Sequence, residues 1–177
     1  MDLKDKLNLD NKVKKANPFC SKEVIDLLNY RIEQEESSSR IYHHMSLWLN
    51  DKGYTNAAKK WEQDSQDEMT HAGWAKDYLL SMGEVPATPM LKAQEDSYNT
   101  LADIIRKSYD HEINISKQCN QLAVYALKNG NMLLYSLAHK YVTEQVEELD
   151  KLQTLLDKLE TFGEDKIALK LLDQELA

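Results

Sequence analysis

Apolar positions recur at spacings of three and four in four long stretches of this chain. That period marks helices with one face turned inward. The first stripe reads Leu28, Ile32, Glu35, Ser39, Tyr42, Ser46, Leu49. The second reads Ala58, Trp61, Ser65, Glu68, Ala72, Ala75, Leu79, Met82. The third reads Leu101, Ile105, Ser108, Glu112, Ile115, Cys119, Leu122, Ala126. The fourth reads Leu134, Leu137, Tyr141, Glu144, Glu148, Leu152, Leu155, Leu159. Glycines punctuate them at Gly53, Gly83, Gly130 and Gly163. The pattern predicts helices over about residues 22–51, 55–82, 100–129, 132–162 and 164–176. Gly73 falls inside the second helix, where close helix packing is the expected reason.

Three connections need only a few residues each, so the helices they join are antiparallel neighbours. The stretch from Gly83 to Asn99 is longer, carries Pro86 and Pro89, and has no helical period. Fully extended it spans up to about 55–60 Å. A 28-residue helix is roughly 42 Å long. The stretch can therefore run the whole bundle and place the third helix's start beside the second's. The expected class is all-α: a four-helix bundle with one long crossover and a short fifth C-terminal helix. Ile167, Leu169, Leu171, Leu172 and Leu176 give that fifth helix an apolar face with no room in the filled core, which marks a contact surface. Residues 1–20 are expected to form an N-terminal extension ahead of one domain, residues 21–177.

Composition narrows the class. Only five Gly and three Pro occur in 177 residues. Average usage is about 12%, so a loop-rich sandwich, a collagen-like chain or a disordered chain is excluded. The net charge of −8 argues against a protein that coats nucleic acid. Cys20 and Cys119 form no Cys-x-x-Cys pair, which excludes a zinc ribbon and suits a reducing compartment. No apolar run reaches the ~18 residues of a membrane span. The N-terminus shows no apolar signal segment. A cytoplasmic protein without a membrane partner is expected.

The chemistry lies where the stripes are interrupted. Glu35, Glu68, Glu112, Glu144 and Glu148 all fall about 18–24 Å from their helix starts at ~1.5 Å per residue. In an antiparallel bundle such mid-height positions meet. Buried carboxylates need compensating charge, and Lys and Arg lie mostly off these stripes. A bound divalent or trivalent cation is the economical compensation. Glu68 and His71 form Glu-x-x-His, which puts both side chains on one helix face. Carboxylate plus imidazole suits iron, manganese or zinc.

The segments Ile32-Glu33-Gln34-Glu35-Glu36-Ser37-Ser38 with Tyr42, Gln66-Asp67-Glu68-Met69-Thr70-His71, Tyr109-Asp110-His111-Glu112, and Tyr141 to Glu148 carry a family resemblance. Over about residues 24–176 the chain resembles the ferritins, in particular the bacterial non-haem branch. The resemblance implies a ferritin-like bundle that stores and detoxifies iron as a homo-oligomer of 24 subunits. It implies ferroxidase activity, with Fe(II) oxidised to Fe(III) by O2 or H2O2 at a di-iron centre and a ferric mineral core laid down in a hollow shell. The first iron site would use Glu35, Glu68 and His71. The second would use Glu68 as a bridge, Glu112 and Glu148, with Gln145 nearby. A third, looser site would use Asp67, Glu144 and Glu147 with Glu148. Tyr42 matches the tyrosine beside the di-iron centre; a packing tyrosine whose hydroxyl caps a carboxylate is the equal alternative.

Two departures refine this picture. Helix four has Gln145-x-x-Glu148 where bacterioferritins repeat Glu-x-x-His. Met69 matches their haem-binding methionine, but non-haem relatives carry it too, so no haem is expected. A competing reading is a DNA-protecting mini-ferritin-like nucleoid particle. It would use Lys4, Lys6, Lys12, Lys14 and Lys15 of the extension, set against Asp2, Asp5 and Asp10.

Overall fold

The computed structural model describes residues 17–94 and 97–177. The five lysines behind the DNA-binding alternative, and all of the extension up to residue 16, lie outside the described residues. Among the described residues five helices follow in order: α1 Lys22–Asp51, α2 Thr55–Ser81, α3 Leu101–Lys128, α4 Met132–Phe162 and α5 Lys166–Gln174. The expected boundaries agree to within two residues, because the sequence places strong stop signals there.

At Gly53 and Gly130 the backbone takes φ of 81° and 64°, a left-handed conformation that favours glycine. Tyr54 N then donates to Leu49 O at 2.9 Å, and Asn131 N to Ala126 O at 2.9 Å. Both are helix-ending bonds that reverse the chain within a few residues. Helix starts are capped by short polar side chains. Ser21, Thr100 and Asn131 each accept from the amide three residues on, and Asp165 from two amides.

α2 is different: its N-cap Tyr54 offers no side-chain bond. The cap comes from α5. Asp173 Oδ1 accepts from Asn56 N at 3.1 Å and Ala57 N at 2.9 Å. Lys170 Nζ holds Asp173 at 2.8 Å and Gly53 O at 2.7 Å. α5 is thereby locked across the end of the α1–α2 pair. Ala168, Leu169 and Leu172 are buried there, while Ile167 and Leu171 face outward. The fifth helix therefore finds room against the end of the core, contrary to the expectation that its whole apolar face is left over.

The described parts of the crossover, residues 83–94 and 97–99, follow α1 along its length. Ala87 N donates to Asn29 at 2.8 Å. Further on, Arg40 reaches Leu91 O and Lys92 O at 3.5 Å each. Tyr98 then packs edge-on against Trp48, with ring centroids 5.9 Å apart. α1 and α3 run antiparallel, as the pairs Arg31–Gln118 and Tyr42–Glu112 show.

The interior has two apolar cores. One gathers Met45, Leu49, Trp61, Leu101, Ile105 and Leu155 with their neighbours. The other gathers Leu28, Ile32, Leu79, Ile115, Leu122 and Leu134 with theirs. Between them lies a polar slab holding Glu35, Ser39, Ser65, Glu68, His71, Ser108, Glu112 and Gln145, all buried. The stripes predict this mid-height convergence for Glu35, Glu68 and Glu112; from α4 the buried residue is Gln145, not Glu144 or Glu148.

Gly73 does not mark close helix packing. A Cβ built there meets nothing within 4 Å. Among the described residues, no helix is long and apolar enough to cross a membrane.

Candidate metal centre

Three ligand-type side chains converge in the slab. α1 supplies Glu35, and α2 supplies Glu68 and His71 from adjacent turns. One ligand atom of each lies within 4.8 Å of the others, and all three residues are buried. His71 Nδ1 sits 3.0 Å from Glu68 Oε2. Among the described residues, Glu35 Oε2 is buried and accepts no well-formed hydrogen bond. A buried carboxylate oxygen without a donor is strongly disfavoured. Two carboxylates and an imidazole around one point are a donor set that fits a divalent transition metal.

Glu112 completes the slab from α3. Tyr42 Oη donates a short hydrogen bond to its Oε1. Gln145 Nε2 donates to its Oε2 at 3.0 Å, and Ser116 Oγ donates to Gln145 Oε1 at 2.7 Å. Burial pushes the Glu112 carboxyl up to about 7, against the pull of these two hydrogen bonds. Burial, then the charges of Glu35 and Glu112, hold Glu68 well above the usual carboxylate range. Burial and Glu112's charge raise the Tyr42 phenol well above its ordinary value. The slab therefore holds protons that a bound cation would displace.

The remaining expected ligands stand further out. Glu148 is half-buried, and Lys151 Nζ lies 2.9 Å from its Oε1. Glu144 is half-buried, with Oε1 3.8 Å from His71 Nε2. Asp67 is half-buried and accepts from Gln63 at 2.9 Å, while Glu147 is exposed. The geometry brings Glu35, Glu68 and His71 together and sets Glu112, Gln145 and Tyr42 beside them. It does not gather Asp67, Glu144 and Glu147. The α4 stripe is also rotated from the expected one: Ala138 and Gln145 are buried where Leu137 and Glu144 are only half-buried.

One buried residue escaped the sequence reading. Arg31 is 2% exposed, one turn before Glu35, and its Nε lies 2.8 Å from Glu35 Oε1. The stripes offer little cationic compensation, and Arg31 is the exception that they did not single out. The usable signal was its spacing: Arg31 precedes Glu35 by four, the i,i+4 neighbour on the same face. Aromatic rings also flank the centre. Trp74 lies 4.6 Å from the His71 ring and 5.2 Å from Tyr141, and Tyr141 Oη donates to His71 O at 2.7 Å.

Bundle, crossover and a buried carboxylate–histidine cluster that could hold a metal together define a helical protein of the ferritin-like kind. The model of the ferritin-like domain matches residues 25–162. The chain belongs to this family. It is 31% identical to the bacterial non-heme ferritin of Escherichia coli O6:H1, covering 88% of this chain and 94% of that one. It is also 31% identical to a probable bacterial non-heme ferritin-like protein of Haemophilus influenzae, over 89% and 96% of the two chains. Among solved structures, an open pore ferritin of the archaeon Archaeoglobus fulgidus superposes with a TM-score of 0.84 at 27% identity, covering 88% and 96% of the two chains. Family and fold support iron storage in general, and a 24-subunit shell is consistent with these neighbours.

Proposed function

We propose that the chain is a ferroxidase subunit that loads an iron-storing shell. The observation that carries this reading is the buried convergence of Glu35, Glu68 and His71 between two apolar cores. Fe(II) is the substrate. Glu35, Glu68 and His71 take one iron; Glu68, Glu112 and Glu148 take the second, with Gln145 beside it. Two Fe(II) give one electron each to O2, two protons join, and H2O2 leaves with two Fe(III) remaining. With H2O2 as oxidant, the two electrons and two protons yield two waters. Hard carboxylate oxygens favour the ferric product. Tyr42 holds Glu112 in place through its hydroxyl. Asp67, Glu144 and Glu147 are reserved for a third, transit position with Glu148, reached when Asp67 leaves Gln63. The ferric product passes to a mineral core within 24 copies of the chain in the cytoplasm. The outward Ile167 and Leu171 of α5 supply contact between copies.

The test is oxygen uptake on adding two Fe(II) per chain to metal-free protein. One O2 consumed per two irons in a fast first phase is expected. Glu68→Gln, which removes the shared ligand, should abolish that phase. A Glu68→Gln protein oxidising iron at the native rate would refute the assignment.

A further inference from the structure

Arg31 stands out once the slab is drawn. It is a fully charged side chain in the interior, and a guanidinium does not lose its proton there. Burying such a charge is costly unless it is paired. Its NH1 donates to Gln118 Oε1 at 3.0 Å and to Cys119 Sγ at 3.7 Å, both on α3. Its guanidinium carbon lies 6.0 Å from the centre of the Tyr141 ring on α4. Its Nε is 2.8 Å from Glu35 Oε1 but makes no aligned hydrogen bond, and NH2 has no hydrogen-bond partner among the described residues. The guanidinium is therefore held by α3 and faces Glu35 as a charge. It is not a fork clamped on the carboxylate.

A charge anchored from α3 stays in place when Glu35 takes up a cation. Its repulsion then acts on whatever occupies the first site. The repulsion scales with the ion's charge, so Fe(III) is disfavoured more than Fe(II). The site would otherwise bind the ferric product best, because its ligands are hard and anionic.

We propose that Arg31 is a positioning residue for product release: a fixed cation that weakens retention of Fe(III) at Glu35 relative to Fe(II), so that the first site empties after each turnover. This rests on the first iron site assigned under Proposed function. In the metal-free protein the same charge offsets Glu35 and lets three carboxylates share the slab.

The test compares Arg31→Gln, Arg31→Met and Arg31→Lys with the native shell. The glutamine variant removes the charge and keeps polarity; the methionine variant keeps bulk and serves where glutamine does not assemble. Two readouts are taken. The first is Zn(II) affinity of the metal-free protein by calorimetry. The second is the fraction of Fe(III) left on the protein site, by Mössbauer spectroscopy, at fixed times after two Fe(II) per chain are oxidised. The neutral variants should clear Fe(III) about tenfold more slowly, while their Zn(II) affinity rises by a smaller factor. Arg31→Lys should restore clearance. Native clearance in the neutral variants would overturn the proposal, and so would a lysine variant as slow as glutamine. The failure of the ferroxidase reading looks different: native protein would then bind no Zn(II) that Glu35→Ala or His71→Ala abolishes.

Discussion

Glu112→Gln separates stability from function. The Glu112 carboxyl moves from 4.5 to about 7 in the folded chain, chiefly through burial. A raised carboxyl opposes folding only when ionised. Below the unfolded value near 4.5 it is protonated in both states and has no effect. As pH rises from there to about 7 the opposition grows, and above 7 it is complete. Its size is about 3 kcal/mol. The glutamine is isosteric and still accepts from Tyr42, but its amide meets Gln145 Nε2 donor to donor. Losing one charge-assisted bond offsets about 1.5 kcal/mol. Metal-free Glu112→Gln protein should therefore gain on the order of 1–2 kcal/mol at pH 8, a rise of a few degrees in Tm for a chain of this size. At pH 5 the difference should vanish or reverse. Calorimetry of chelator-treated native and variant protein at both pH values is the assay. A variant less stable at pH 8, or a gain equal at the two pH values, would refute the reasoning. Iron oxidation should be lost in the same variant, since the stabilised slab no longer offers the second-site carboxylate.

Other consequences follow from single contacts. Asp173→Ala removes the cap of α2 and should lower stability by about 1 kcal/mol, with earlier cleavage around residues 163–166 in limited proteolysis. Gly73→Ala fills open space inside α2 and should stabilise by about 1 kcal/mol in urea unfolding of the metal-free protein. Tyr42→Phe leaves Glu112 Oε1 without its donor. The Glu112 carboxyl should then titrate above about 7, and Zn(II) binding at pH 6 should weaken and release more protons. His71→Ala should abolish Zn(II) binding at the first site while the shell persists on size exclusion, because the ring lies between the two apolar cores.

Much of this was written in the chain's periodicity. Stripes at three and four fixed which residues of α1 to α3 face inward: every assigned position from Leu28 to Leu49 is buried, and so is every one from Leu101 to Ala126. The matched heights of Glu35, Glu68 and Glu112 placed three carboxylates in one slab. α4 was harder. It has glutamate at 144, 147 and 148 and glutamine at 145, so periodicity alone fits two faces about 100° apart. Packing against Ser116 and Glu112 selected Gln145. Arg31 was missed because arginine usually marks a solvated face, and the hydrogen bonds that hold it inside come from Gln118 and Cys119, 87 and 88 residues away. The Asp173 cap spans 116 and 117 residues and has no local signature. Gly73 misled because a glycine in a helix suggests a close approach, which three-dimensional packing does not supply here.

The central claim is that one buried centre feeds iron into a shell. Metal-free protein is loaded aerobically with excess Fe(II) and passed over size exclusion, with protein and iron recorded together. Iron far above two per chain, co-eluting near the mass of 24 chains of 20.5 kDa, is the result the account predicts. Iron that stops at two per chain on a much smaller particle would contradict it.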